Sequence, residues 1–232
     1  MNIYNDDCFN ILPNITEKID MVLVDLPYGQ TDLKWDVKID LDKMWIELKK
    51  ICKENCIYVF FTTTKYGNDL INSNKKWFRY DIVWIKSNAV GFLNANRMPL
   101  RGHEMIYIFY KKRGTYNPQK TEGKPYIHKG RRSAKMYSMK DHTNTSNLDG
   151  KRHPLSYIKF NVNKKIKHST AKPIKLCEWL IKSYSNKNDL VLDFCMGSGT
   201  TGIACKNTER KFIGVEKDKE IFEYAKNRLL SL

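Results

Sequence analysis

Residues 191–200 read Val-Leu-Asp-Phe-Cys-Met-Gly-Ser-Gly-Thr, an apolar run that leads into a glycine-rich turn. The residues after the turn can continue as a helix, and the start of a helix offers unpaired N–H groups to a ligand. Glycines let the backbone pass close to that ligand. The pattern predicts a strand, a ligand-binding turn and a helix, as in nucleotide-binding α/β folds.

The surroundings of this turn indicate which ligand it binds. A second predicted strand, 211–216, ends on Glu216, 17 residues after Gly199. In nucleotide folds an acid about 20 residues after such a turn reaches ribose hydroxyls. The turn lacks the full GxGxxG spacing and contains neither Lys nor Arg. A nucleoside without a pyrophosphate therefore suits it better than NAD or ATP.

A second motif lies far upstream, where the apolar run 21–24 leads into Asp25-Leu26-Pro27-Tyr28. Open α/β sheets bind their ligands at the carboxyl ends of strands. There Asp25 can accept one hydrogen of an exocyclic amino group and the Leu26 carbonyl can accept the other, while the Tyr28 ring stacks on the base. The two acceptors localise the lone pair on nitrogen, which can then attack an electrophilic methyl group.

The two motifs resemble those of amino-group DNA methyltransferases that use S-adenosylmethionine. More narrowly they resemble the permuted beta group, in which an Asp-Pro-Pro-Tyr motif precedes a Phe-X-Gly-X-Gly motif. Leu26 replaces the first proline, and Phe194-Cys195 stands where Pro-Phe is usual. The resemblance covers nearly the whole chain. It implies a Rossmann-like class I methyltransferase of the α/β class, with a doubly wound, mostly parallel sheet and a basic target-recognition insertion.

The same resemblance implies roles for individual residues. Asp25, Leu26, Pro27 and Tyr28 are the catalytic candidates. Residues 168–173 resemble the family's His-Pro-Thr-Gln-Lys-Pro signature, whose lysine lies near the carboxylate of the cofactor, and Asp7 resembles the acid that contacts the cofactor's adenine. The cofactor-binding candidates are Asp7, Cys8, Asp25, His168, Thr170, Lys172, Asp193, Cys195, Gly197, Ser198, Gly199, Thr200 and Glu216.

The charge of the chain points to a polyanionic partner. There are 41 Lys and Arg against 25 Asp and Glu, a net charge of +16. Residues 111–167 hold 16 basic and three acidic residues, so 16 − 3 = +13 lies there and 25 − 22 = +3 in the rest. A solvated basic loop is the alternative, but aromatic residues are interleaved, and such rings stack on exposed bases while cations neutralise phosphates. We expect double-stranded DNA as the partner, with the DNA-binding candidates Lys129, Arg131, Arg132, Lys135, Lys151 and Arg152.

The hydrophobic pattern predicts one permuted domain. It comprises a catalytic half (1–110), a basic target-recognition region (111–167) and a cofactor-binding half (168–232). Strands are predicted at 2–7, 20–25, 56–63, 80–86, 103–110, 189–193 and 211–216, and helices near 8–12 and at 41–54, 66–72, 173–184, 200–207 and 218–230. Residues 30–40 are long enough for a loop over the active site, and we assign no chemistry to His103 and Glu104.

Several function classes are disfavoured by composition. No run of about 18 apolar residues and no secretory signal is present, so we expect no membrane span and a cytoplasmic protein. Among the six cysteines, Cys52 and Cys56 would lie one helical turn apart, but we expect reduced thiols and no metal site.

The expected reaction is methyl transfer from S-adenosylmethionine to the N6 amino group of adenine in DNA. Adenine is favoured because cytosine-N4 members of the family more often carry Ser at the Asp25 position. N4-cytosine methylation is the first alternative. An RNA or protein-amide methyltransferase and a catalytically silent nucleic-acid-binding subunit are the others. A homodimer and a cognate restriction enzyme are further candidate partners, and the sequence decides neither.

Overall fold

An eight-stranded sheet organises the protein, for which a computed structural model describes residues 1–29, 36–128, 145–161 and 171–231. The strands are β1 (Asn2–Asn5), β2 (Ile19–Asp25), β3 (Cys52–Thr62), β4 (Phe78–Val90), β5 (Arg101–Phe109), β6 (Tyr126–His128), β7 (Thr145–Asn147), β8 (Tyr157–Phe160), β9 (Leu190–Asp193) and β10 (Lys211–Glu216). The helices are α1 (Cys8–Ile11), α2 (Leu41–Ile51), α3 (Thr64–Ser73), α4 (Ile174–Tyr184), α5 (Thr200–Asn207) and α6 (Lys219–Leu230). None of these helices is long and apolar enough to cross a membrane.

The strands of the large sheet lie in the order β1-β10-β9-β2-β3-β5-β4-β8. Strand β5 runs antiparallel to β3 and β4, and the other neighbouring pairs are parallel. The predicted α/β class with a mostly parallel sheet is therefore confirmed. The antiparallel strand arises because β4 and β5 are joined as a hairpin, without a crossover helix.

Strand β2 illustrates why both faces of the sheet are covered. Val22 and Val24 belong to the core that contains α2 and α3, whereas Met21 and Leu23 belong to the core that contains α4, α5 and α6. Successive side chains of a strand point to opposite faces, so an unbroken apolar run suits a strand that is buried on both sides. The apolar run before Asp25 is thus explained by its central position.

Four of the helices begin at side-chain caps, and three of these caps share one geometry. Asp40, Thr63 and Asp218 each accept a hydrogen bond from the backbone N–H three residues later, at 3.0, 3.2 and 3.0 Å. Each such cap contributes on the order of 1 kcal/mol to stability. The caps fix the starts of α2, α3 and α6 to within two residues of the predicted positions.

The predicted helix 41–54 is shorter in the structure. Helix α2 ends at Ile51, and Cys52 already pairs with Ile19 of strand β2. Cys52 and Cys56 therefore lie on a strand and not one helical turn apart. Pairing with the central strand outweighs the helical periodicity of the preceding residues, because tertiary contacts override local propensity.

The chain divides into two compact units. One unit comprises Met1–Asn117 and Ser156–Leu232, and the other comprises Pro118–Leu155. Strand β8 lies within the basic stretch 111–167 but belongs to the first unit, where it pairs in parallel with β4. In the second unit, β6 and β7 form an antiparallel pair.

Candidate active site

The two sequence motifs end neighbouring strands at one edge of the sheet. Strands β2 and β9 pair in parallel, with Val22 opposite Leu192. Strand β9 in turn pairs with β10, and β10 with β1, all in the same direction. Four carboxylates thus follow the carboxyl ends of four adjacent strands, the edge at which α/β sheets bind ligands; they belong to Asp7, Glu216, Asp193 and Asp25.

The glycine-rich turn is fastened at both of its ends. Gly197 and Gly199 have φ angles of +50° and +76°, which L side chains rarely adopt. The Gly197 N–H donates to Glu216 Oε2 at 2.9 Å, and the Thr201 hydroxyl donates to Asp193 Oδ2 at 2.6 Å. Arg228 of α6 also donates to the carbonyl of the intervening serine, a contact that no sequence signal predicted.

Glu216 combines a structural contact with spare acceptor capacity. Its Oε1 accepts the Asp218 N–H at 2.9 Å. Burial raises the pKa of Glu216, although the backbone N–H bonds oppose that shift. Because each carboxylate oxygen has two lone pairs, Glu216 can still accept hydrogen bonds from ligand hydroxyls.

Asp193 is the most deeply buried of the four acids. Burial raises its pKa to about 7, despite the opposing hydrogen bonds from the Thr201 hydroxyl and the Cys195 N–H. An unfolded Asp titrates near about 3.9. The folded state therefore binds a proton that the unfolded state has lost, and this carboxyl makes stability fall as pH rises from about 4 to about 7.

The variant Asp193→Asn should remove this pH dependence. Between pH 5 and pH 8 we expect the wild-type free energy of unfolding to fall by on the order of 2–3 kcal/mol more than that of the variant. Urea unfolding at four pH values measures the difference. Parallel pH profiles for the two proteins would show that Asp193 is ionised in the folded state throughout this range.

Two donors hold the Asp25 carboxylate at the end of β2. The Tyr28 hydroxyl donates to Oδ1 at 2.6 Å, and Lys172 Nζ donates to Oδ2 at 2.5 Å. The side chain of Asp25 is 31% exposed, so a ligand can still reach it. The ring of Tyr28 lies 5.1 Å from that of Tyr66, at an angle of 42° between their planes.

Lys172 makes contacts that the sequence did not predict. Besides Asp25, its Nζ lies 3.3 Å from Glu104 Oε2 and 5.1 Å from the centre of the Phe61 ring. Burial alone lowers the pKa of Lys172, but the charges of the two carboxylates outweigh it and hold the pKa well above its usual value. The lysine is therefore charged, and its partners are carboxylates of the chain itself.

The backbone of the Asp25–Tyr28 motif is fixed by Asp36, which no sequence pattern marked. Its Oδ1 accepts the N–H groups of Tyr28 at 2.7 Å and of Gly29 at 2.9 Å. Gly29 has a φ angle of +61°. The side chain of Leu26 is buried in the core, so packing restrains the position that usually carries the first proline.

The two hydrogen bonds that Asp36 accepts from Tyr28 and Gly29 form a clamp on the motif, and their loss should destabilise it. We expect Asp36→Ala to lower the free energy of unfolding by about 1–3 kcal/mol, because two partly buried hydrogen bonds to a charged acceptor are lost. The matched control is Asp42→Ala, since Asp42 is exposed in the first turn of α2. Equal midpoints of urea unfolding for the two variants would contradict a clamp at Asp36.

The remaining cofactor candidates lie at the same edge. Asp7 accepts the Phe9 N–H at 2.9 Å and pairs with Lys217 at 3.0 Å, beside an open cavity of about 580 Å³. A hydrogen bond with the Cys8 thiol raises the pKa of Cys195, so those two candidates are neighbours. Ser198 and Thr200 are buried, with their hydroxyl oxygens 3.3 Å apart. His168 and Thr170 lie outside the described residues.

Four of the six DNA-binding candidates, Lys129, Arg131, Arg132 and Lys135, also lie outside the described residues. Lys151 is exposed. Arg152 is engaged within its own unit, where it donates to the carbonyls of Gly150 and Lys124 and lies 4.7 Å from the Tyr126 ring. Nowhere in the described ranges do three His, Cys, Asp or Glu side chains cluster as a metal site requires.

Known proteins are similar to this chain over most of its length. The family model for DNA methylases of the N6/N4 type matches residues 19–227. The type II methyltransferase M1.MboII of Moraxella bovis is 27% identical, over 96% of this chain and 94% of its own. The type II methyltransferase M.HinfI of Haemophilus influenzae is 28% identical, over 98% and 67%.

Solved structures agree with these sequence matches. The M1.HpyAVI complex with SAM superposes with a TM-score of 0.69 and 28% identity, covering 98% of this chain and 99% of that one. The cytosine-N4-specific PvuII DNA methyltransferase shares the fold with a TM-score of 0.70 at 16% identity, covering 97% and 85%. The sheet order and the two motifs at one edge agree with the family match over residues 19–227. The chain therefore belongs to the N6/N4 family of DNA methylases.

Proposed function

We propose that the chain transfers a methyl group from S-adenosylmethionine to the N6 amino group of adenine in double-stranded DNA. One observation carries the proposal: the Asp25 carboxylate ends the strand next to the one that leads into the glycine-rich turn. A hydrogen-bond acceptor for an amino group therefore lies beside a turn that suits a nucleoside cofactor. Family membership and the SAM complex of M1.HpyAVI support the choice of cofactor.

The residues at the strand ends fit such a cofactor. Four carboxylates line this edge, which suits a cationic sulfonium and ribose hydroxyls and disfavours phosphates. In the proposal Glu216 accepts from the ribose hydroxyls and Asp7 lies at the adenine end. The glycine-rich turn, with Gly197 and Gly199, carries the rest of the nucleoside. When bound, S-adenosylmethionine supplies a methyl group made electrophilic by its sulfonium.

The catalytic residues would act on a base rotated out of the duplex, since its amino group is unreachable inside the helix. Asp25 and the Leu26 carbonyl accept the two amino hydrogens, and the Tyr28 ring stacks on the base. The amino nitrogen attacks the methyl carbon, the carbon–sulfur bond breaks toward sulfur, and the nitrogen then loses a proton to solvent. Positioning and fixed charges supply most of the rate.

The basic stretch 111–167 is proposed as the target-recognition region between the catalytic and cofactor-binding parts. Its excess of 16 − 3 = +13 charges supports a role in neutralising phosphates. Among the candidates that the structure describes, the exposed Lys151 is free of carbonyl partners of the kind that hold Arg152. To bind a phosphate, Arg152 would have to leave or share the carbonyls of Gly150 and Lys124. A second copy of the chain and a cognate restriction enzyme remain proposed partners, which sedimentation and the neighbouring genes would test.

The deciding experiment combines the protein, methyl-labelled S-adenosylmethionine and either duplex DNA, RNA or a bulk protein substrate. We expect label only in duplex DNA and, after hydrolysis to nucleosides, only in N6-methyladenine. Label in N4-methylcytosine would correct the target base, and label in RNA or protein would replace the substrate class. Cofactor binding with no label in any substrate would favour the silent binding subunit.

A further inference from the structure

A chain of four alternating charges crosses the sheet at the active-site edge. Lys86 of β4 pairs with Glu104 Oε1 of β5, and Lys172 Nζ lies 3.3 Å from Glu104 Oε2 and 2.5 Å from Asp25 Oδ2. The side chains of Lys86, Glu104 and Lys172 are only 11%, 17% and 12% exposed. Asp25, at 31%, is the exposed end of the chain.

The topology explains why this chain can form. Strand β3 lies between β2 and β5, and its Phe61 is in register with Asp25 on one side and with Ile106 on the other. Lys172 lies over the Phe61 ring, so its ammonium spans the uncharged carboxyl end of β3 to reach a carboxylate on each neighbouring strand. The ammonium is fixed between two acids, and Asp25 alone does not determine its position.

Glu104 is ionised and only partly satisfied in this chain. Burial raises its pKa, but the charges of Lys172 and Lys86 outweigh burial and lower the pKa below its usual value. Its Oε2 contacts Lys172 as an ion pair without a hydrogen-bonding geometry, although the atom is buried. Such a buried charge is unfavourable unless it is paired.

We propose that Glu104, itself held by Lys86, positions Lys172 against Asp25 and so acts as a positioning residue in the proposed methyl transfer, on which this inference rests. With Glu104 present, Lys172 stays on the Oδ2 side of Asp25 and shares its charge between two carboxylates. Asp25 then keeps negative charge for the amino hydrogens of the base. Without Glu104, the ammonium would pair with Asp25 alone and would compete with the amino hydrogens of the base for that carboxylate.

The test compares Glu104→Gln with Glu54→Gln in the full-length protein. Glu54 is an exposed carboxylate that also pairs with two lysines, Lys111 and Lys112, and its loss should leave activity unchanged. For Glu104→Gln we expect a single-turnover methylation rate about 10–100-fold lower, as for a misplaced catalytic group. KM for DNA and for S-adenosylmethionine should stay within about twofold, because ground-state binding is unaffected. An unchanged rate would overturn the inference.

Two further variants separate positioning from folding. Glu104→Gln alone leaves the buried Lys86 without its carboxylate and should lower the thermal midpoint. In the double variant Lys86→Met/Glu104→Gln that lysine is removed, so the midpoint should return toward the wild-type value while the methylation rate stays low. Glu104→Asp keeps the charge but withdraws the carboxylate by one methylene, and should lower the rate with little loss of stability. A rate that recovers together with the midpoint, or a Glu104→Asp protein of wild-type rate, would assign Glu104 to stability alone.

These outcomes are distinct from failure of the proposed function. If the wild-type protein transfers no methyl group to any nucleic acid, the proposed reaction is wrong and the role of Glu104 in it falls as well. If wild-type protein methylates DNA and Glu104→Gln does so equally fast, only the positioning role is rejected.

Discussion

Asp25→Asn should lower the rate of methyl transfer by roughly 10²–10⁴-fold, the contribution typical of a positioned acid–base group. The amide has the shape of the carboxylate but carries two hydrogens in place of one acceptor oxygen. Whichever way it turns, its NH₂ group faces either the Lys172 ammonium or the side on which the Tyr28 hydroxyl and, in the proposal, the amino group of the target base donate. One donor–donor contact therefore replaces a hydrogen bond in the reactive complex.

Single-turnover methylation of duplex DNA measures this loss, and calorimetry with S-adenosylmethionine checks that the cofactor still binds. We expect the cofactor affinity to change by less than about tenfold, the effect of one hydrogen bond. Asp69→Asn is the matched control, because Asp69 is an exposed carboxylate 2.8 Å from Lys38. Methylation by Asp25→Asn at the wild-type rate would rule out Asp25 as the acceptor of the amino hydrogens.

Lys172→Met should produce the largest loss of stability. The substitution leaves the largely buried carboxylate of Glu104 and the partly exposed carboxylate of Asp25 near one another, with Lys86 as the remaining cation. Removing one partner of a buried ion pair costs about 3–5 kcal/mol, and we expect a fall of that size in the free energy of unfolding at pH 8. The matched control is Lys187→Met, because Lys187 and its partner Glu209 are both exposed and such a surface pair contributes little.

The difference in the free energy of unfolding between the wild type and Lys172→Met should shrink as the pH is lowered. In the wild type the pKa of Glu104 is lowered, so its pairing stabilises the fold above the unfolded pKa and is lost as pH falls. The variant loses the largest lowering contribution, which raises the pKa of Glu104 and lets the folded state take up a proton sooner. Urea unfolding at pH 5 and pH 8 measures this. A deficit that is equal at both values would contradict a buried charge as its cause.

Motifs placed at strand ends could be predicted well from the sequence. The apolar runs before Asp25 and Asp193 required strands buried on both faces, and parallel strands share one carboxyl edge. The pattern therefore placed Asp25 and the turn at Gly197 at the same edge of a sheet, and the structure shows that their strands are neighbours. The starts of α2 and α6, which Asp40 and Asp218 cap, were likewise predicted to within one residue.

Contacts between distant segments could not be predicted in this way. Glu104 meets Lys172 across an intervening strand, and neither position has a local pattern that records the other. Asp36 binds the catalytic turn from a segment without periodicity. Strand β8 is short and lies in a basic stretch, so its pairing with β4 depends on the sheet edge that β4 offers and not on its own composition.

The parallel pairing of β2 with β9 has a consequence for folding during synthesis. It joins residues far apart in the chain, and the Leu190 N–H donates across it to Asp20 Oδ2 at 3.0 Å. Such distant pairings close late in folding, because the loop between them must be ordered first. During synthesis the turn at Asp25 leaves the ribosome long before its neighbours on β9 and β10. A nascent fragment that ends before Glu216 lacks the carboxylate that accepts the Gly197 N–H, so the glycine-rich turn can reach its final structure only after β10 has been synthesised.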